Sequence, residues 1–140
     1  MSNKHYQIGT DSSLLIPAAA ATAARTANLD CQDGRYATIR VNLGAELNTN
    51  STNVAIQLSE SDDTVATNFA TFDASFNRTV DNTAAVVATS HVDLRGRKRY
   101  LRLTVTPDTT TNGPVVTGAI ATLYTDVQGT TLPGDDTIAG

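Results

Sequence analysis

Tyr36-Ala-Thr-Ile-Arg-Val-Asn-Leu43 puts Ala37, Ile39, Val41 and Leu43 on one side of an extended chain and Thr38, Arg40 and Asn42 on the other. That period of two is the mark of a strand with one face in a core and one in solvent. Gly44 closes the run, and a polar loop, Asn48-Thr-Asn-Ser-Thr-Asn53, follows it. Val54, Ile56 and Leu58 then point one way while Ala55, Gln57 and Ser59 point the other. The two runs are expected to pair as a hairpin. Tyr100 to Thr106 alternates again, with Leu101, Leu103 and Val105 against Arg102, Thr104 and Thr106, and ends at Pro107-Asp108. Thr79 to Thr89 reads as one or two weaker strands split around Asp81-Asn82, and Val115 to Tyr124 is apolar on both faces, as for a strand covered on each side or lying at an interface. Short strands separated by turn signals predict an all-β domain, a β-sandwich or jelly-roll-like body.

Composition agrees. Aromatic residues make up 5% of the 140 residues and Trp is absent, so the core must be built from Val, Leu, Ile and Ala. Glu (Glu46, Glu60) and Lys (Lys4, Lys98), which favour helix surfaces, occur twice each. Phe69, Phe72 and Phe76 are the only phenylalanines and read as core plugs. The length suits one domain. Residues 1–30 read as an extended N-terminal arm, polar and then Ala/Thr-rich, with a short helix or an extended run over Ala18 to Ala27. Residues 31–126 form the sandwich and 127–140 a C-terminal tail. Asp30-Cys-Gln-Asp-Gly34 is the turn between arm and sandwich, supplied with Asp and with a Gly that can take positive φ. The Ala-rich stretch from Leu14 to Ala24 is similar to a signal peptide, but Asp11 precedes it and Pro17 interrupts it, so it is taken as part of the working protein. No apolar run is long enough to span a membrane as a helix.

Charge is distributed unevenly. The net charge is −4, yet Arg95, Arg97, Lys98, Arg99 and Arg102 place half of the ten Lys and Arg residues within eight positions. These charges sit on a turn entering a strand, where they are expected to face a partner; the acidic balance argues against direct nucleic-acid binding. Leu14, Leu15 and Ile16 of the arm are a second candidate contact. His91 and Asp93 would share a strand face and, with one of the many serines, compose a triad on paper, but no nucleophile elbow accompanies them, and the sequence is read as that of a non-enzyme. Glu60, Asp62 and Asp63 lack the ligand ladder of a calcium loop and read as a solvated turn, and Cys31 has no Cys or His at metal-ligand spacing; no cofactor or metal is expected. Asn50-Ser-Thr and Asn77-Arg-Thr match the glycosylation pattern, which a chain rich in Asn and Thr generates by chance.

Three segments in this order, Arg35-Tyr36 through Leu43-Gly44, Val54-Ala-Ile-Gln-Leu-Ser-Glu-Ser-Asp-Asp63, and Arg97-Lys-Arg-Tyr-Leu-Arg-Leu103, resemble small virion proteins of tailed bacteriophages, in particular head decoration (cement) proteins. The resemblance spans residues 30 to 124 and implies a β-sandwich, often a trimer, on the outer surface of the phage head. There it would bind the major capsid protein and stabilise contacts between its subunits. The arm and the acidic tail lie outside it. The alternative is a tail or fibre module that binds a glycan or a protein. With Tyr6, Tyr36, Tyr100 and Tyr124 as the only polar aromatics, the means for glycan stacking are limited.

Overall fold

The computed structural model describes residues 5–20, 23–44, 51–81, 83–108 and 115–128. Nine strands form there: β1 (His5–Ala20), β2 (Arg25–Asp30), β3 (Tyr36–Leu43), β4 (Thr52–Ser61), β5 (Ala70–Asp73), β6 (Arg78–Val80), β7 (Val86–Asp93), β8 (Tyr100–Pro107) and β9 (Val115–Gln128). A single 3-10 turn, Ala66–Asn68, interrupts them. The alternations in β3, β4 and β8 hold. Ala37, Ile39, Val41 and Leu43, then Val54, Ile56 and Leu58, then Leu101, Leu103 and Val105 are all nearly inaccessible to solvent.

Two antiparallel sheets face each other, one in the order β1-β9-β3-β7, the other β2-β8-β4-β5 with β6 beside β4. The pairs β1 with β9, β2 with β8, β3 with β7 and β4 with β5 are nested in sequence, and they fall alternately in the two sheets. A long hairpin wrapped once around a core gives this order, which is that of a jelly roll. The all-β sandwich expected from the alternations is therefore the fold.

The hairpin expected between β3 and β4 is not formed. β3 pairs with β7 and β9, β4 with β8, β5 and β6, in opposite sheets. Both apolar rows are nonetheless buried in the one core between the two sheets. The segment read as an arm is sheet as well. β1 runs antiparallel to β9 with register partners from His5↔Gln128 to Ala20↔Val115, and β2 pairs with β8 from Arg25↔Val105 to Asp30↔Tyr100. Ala18 and Ala19 are thus in β1, and Ala27 in β2, with no helix between them among the described residues. Residues with good helix propensity follow the sheet because backbone pairing with two waiting strands outweighs a preference of less than about 1 kcal/mol per residue.

β1 is irregular for a physical reason. Its register shifts between Ser13 and Leu15 and again between Leu15 and Ala18, so Ile16 and Pro17 bulge opposite Gly118. Pro cannot donate to a ladder and is tolerated at a bulge on an edge strand. A Cβ at Gly118 would lie 3.1 Å from Pro17 Cγ, so the glycine is what lets the proline ring settle on β9. Arg25, on the opposite sheet, reaches the carbonyls this bulge leaves free. Its Nη2 donates to Ile16 O (2.8 Å) and its Nη1 to the hydroxyl of buried Thr117 (2.9 Å) and to the Ala18 and Thr117 carbonyls. One guanidinium thus ties the two sheets together.

In the turn after β2, Asp33 rather than Gly34 takes the positive φ (65°). Asp tolerates that conformation because its short side chain can bond locally. Gly34 is needed for space: a Cβ there would come within 2.5 Å of Leu123 Cδ1 and 2.8 Å of Leu94 Cδ1. Of the three phenylalanines, Phe76 is buried, whereas Phe72 and Phe69 are only partly covered. Both lie under arginines. The expected tail begins within β9, whose last residues are Val127 and Gln128; residues 129–140 lie outside the described residues, as do residues 48–50 of the polar loop.

Candidate interaction surfaces

The basic turn joins β7 to β8. Buried Leu94 anchors it: its N–H donates to Arg35 O (2.9 Å) and its carbonyl accepts from Arg97 N–H (3.0 Å), while Gly96 turns the chain at φ 78°. This lifts Arg95, Arg97, Lys98 and Arg99 onto one rim of the sandwich, and each finds a carboxylate of the same chain. Arg95 closes on Asp93, which also accepts its backbone N–H at 3.0 Å. Arg97 lies 3.5 Å from Glu60 Oε1, and Lys98 Nζ 3.0 Å from Asp62 Oδ2. Arg99 grips Asp30 in a two-pronged pair, Nε to Oδ1 at 3.0 Å and Nη2 to Oδ2 at 2.8 Å. Arg102 donates to Asn28 Oδ1 (2.9 Å) and to Ala66 O (3.2 Å).

Each guanidinium also covers a ring. Arg95 lies over Tyr36 (5.7 Å to the centroid), Arg97 over Phe72 (4.2 Å), Arg99 over Tyr100 (4.9 Å) and Arg102 over Phe69 (3.8 Å). The planar cation meets ring on one side and acceptor at its edge, which suits Arg and not Lys. Electrostatics follow the geometry. The Arg95 guanidinium, with its own backbone N–H, holds the Asp93 carboxyl down at about 2, and Arg99 together with the Gln32 N–H holds Asp30 below the usual carboxylate range. Asp63 is held low chiefly by the Asn68 amide, then by the Val65 N–H. The acidic turn read as solvated therefore neutralises the basic one. The expected cationic corner is a lattice of alternating charge.

The broad outer face of the β1-β9-β3-β7 sheet is different. Register places Asp11, Thr122, Thr38 and His91 in one cross-strand row, Ser13, Ile120, Arg40 and Thr89 in the next, and Pro17, Gly118, Asn42 and Val87 in a third. The first row is knitted by side chains: the Thr122 hydroxyl donates to Asp11, and Thr38 Oγ1 lies 3.0 Å from His91 Nδ1. Below it the face becomes apolar, with Val87 56% exposed and Val116 and Ile120 45% each. Arg40 stands in the middle, exposed, with no partner among the described residues. No sequence signal had marked it, because a single arginine on the polar side of a strand is unremarkable.

The arm residues divide. Leu15 is buried in the core and Leu14 packs partly against it, whereas Ile16, in the bulge, is 76% exposed. His91 and Asp93 do share a face, but His91 turns to Thr38 and Asp93 to Arg95. Buried Cys31 is a free thiol whose desolvation pushes its pKa up to about 12, far from a reactive thiolate at neutral pH. Among the described residues no group of three or more His, Cys, Asp or Glu side chains is placed to hold a metal ion. Asn77 uses its side-chain carbonyl to accept the Ile56 N–H at 2.8 Å; Asn50 lies outside the described residues.

No protein family matches the sequence, and no curated protein matches it. Among solved structures, a chain of the empty head of turnip yellow mosaic virus at 100 K is similar at TM-score 0.41 and 13% identity, over 94% of this chain and 85% of that one. The jelly-roll assignment rests on strand order, not on that likeness.

Proposed function

We propose that this protein is a structural component of a virion, a decoration (cement) protein on the outer surface of a tailed-phage head that binds the major capsid protein and strengthens contacts between its subunits. The observation that carries the reading is the nested jelly-roll pairing of its strands, an architecture used in viral shells as well as in lectins and cupins. The residue pattern that resembles head decoration proteins favours the first of these uses. The construction supports it too. Two facing sheets, a core rich in branched aliphatic side chains and a rim held by its own ion pairs offer broad faces to a partner. Many such blocks bound side by side gain avidity from modest individual contacts. On this reading the protein performs no reaction and forms homo-oligomers on the shell.

Of the tyrosine rings that a glycan site would use, Tyr36 and Tyr100 each have a guanidinium over one side, which disfavours the tail or fibre lectin alternative. The test is direct. Purified protein is added to heads of its own virus that lack it, and the particles are imaged and heated. Bound protein on the head exterior and a higher temperature of DNA release are expected. Density confined to tails or fibres overturns the proposal.

A further inference from the structure

We propose that the surface with which the protein meets its shell is the outer face of the β1-β9-β3-β7 sheet, centred on Arg40, and that the group received there is a carboxylate of the capsid protein set among apolar side chains. This rests on the virion reading and names the docking site within it.

The argument starts from what each cation is already doing. Arg95, Arg97, Lys98 and Arg99 have carboxylates of their own chain, and Arg102 has two oxygen acceptors and a ring. To bind a partner through the rim, an internal pair must first open, and the carboxylate left behind then repels an acidic newcomer. Arg40 has nothing to give up. Its cross-strand neighbours are Ile120 on β9 and Thr89 on β7, and Asn42 is next on its own side of β3. Apolar Pro17, Val87 and Val116 lie along the same face, around a shallow groove that reaches Asn42 and Gly118.

A guanidinium beside apolar surface binds a carboxylate in two parallel hydrogen bonds once water is excluded. The surrounding apolar contacts supply that exclusion. From strand spacing and rise the four strands present on the order of 600 Å², close to the roughly 800 Å² each partner gives to a standard interface. A phosphate polymer is disfavoured, because Asp11 and Asp93 stand on the same face and the net charge is −4.

The test uses the full chain and heads that lack it. Arg40→Glu and Ile120→Asp are each expected to lower head occupancy at least about tenfold, with far-UV spectra and melting unchanged. The triple change Arg97→Ala, Lys98→Ala, Arg99→Ala is expected to alter occupancy less than about threefold. In a second measurement, Arg40→Lys protein bound to heads is treated with a carbodiimide, which condenses an amine with a carboxylate in contact. A cross-link from position 40 to an Asp or Glu of the capsid protein is expected. Cross-links to the shell from Lys98 alone, or folded Arg40→Glu protein that decorates like wild type, overturn the docking site and leave the virion reading standing. Wild-type protein that binds no head, or that is retained by duplex DNA instead, overturns both.

Discussion

The rim at the β7–β8 turn holds five cations within eight residues, and the outer face of the β1-β9-β3-β7 sheet holds one, Arg40, at its centre; the single one is the more available. What separates them is not exposure, since both stand in solvent, but prior engagement. On the rim, Asp30, Glu60, Asp62 and Asp93 arrive from two other stretches of chain and from the turn's own base to meet the incoming charge. Among the described residues the rim cations are thus paired within the chain and Arg40 is not. Charge density along a sequence does not measure this.

The sharpest separation lies within one strand. Ile39 and Arg40 are neighbours on β3 with opposite outlooks. Ile39→Ala should cost about 2–5 kcal/mol, as for a large-to-small change in a close-packed core, and Arg40→Ala less than about 0.5 kcal/mol, both read from denaturant unfolding. A destabilising Arg40→Ala would mean that the face is structural after all. Arg25 is the next test, since it is an arginine of a third kind. Arg25→Met takes the guanidinium donor away from the Ile16 and Thr117 carbonyls and from the Thr117 hydroxyl, while the Ala18 carbonyl keeps the Thr117 hydroxyl as a donor, at an expected cost of about 1–3 kcal/mol.

The rim pairing itself is expected to be modest. A double-mutant cycle on Asp30→Asn and Arg99→Gln should give a coupling of about 0.2–1 kcal/mol that shrinks as salt is raised. Coupling that salt leaves untouched would contradict a solvent-exposed pair. The smallest effect is with acid. Asp93 and Asp30 have depressed pKa values when folded, so their contribution is present above the unfolded value near 4 and is lost as pH falls through the folded one, about 2 for Asp93. Carboxyl chemical shifts followed from pH 5 to pH 1.5 should show these two groups titrating below the ordinary carboxylate range. Cys31 runs the other way. Its neutral form is favoured by burial, so that contribution is present below the unfolded pKa and fades as pH climbs toward 12.

β3, β4 and β8 were legible in the sequence because each shows an uninterrupted period of two with branched apolar residues on the core side. Which sheet each strand joins was not, since a half-apolar strand looks the same beside its neighbour as across from it. β1 was hidden by its own composition. Gly9, Ser12, Ser13, Ala18 and Ala19 give little contrast between its faces, and the bulge at Ile16-Pro17 resets what contrast there is. The rim was half legible: the cations stand together, but Arg99 and Asp30 are 69 residues apart, and Arg97 and Glu60 are 37. Only Asp93 and Arg95, two positions apart, could have been matched by eye.

β9 lies between β1 and β3, and β8 between β2 and β4, so the last two strands among the described residues occupy interior places in both layers. A nascent chain ending at Pro107 holds β1 with no neighbour to pair with and leaves the edge of β3 open. Assembly must therefore wait for β9 to slot in between strands synthesised earlier, a closure that spans from Ala20↔Val115 to His5↔Gln128 for β1 with β9. Topologies of this sort fold slowly and expose sticky edges while they do. A truncation that removes β9 is expected to part β1 from the β3–β7 pair and so divide the first sheet.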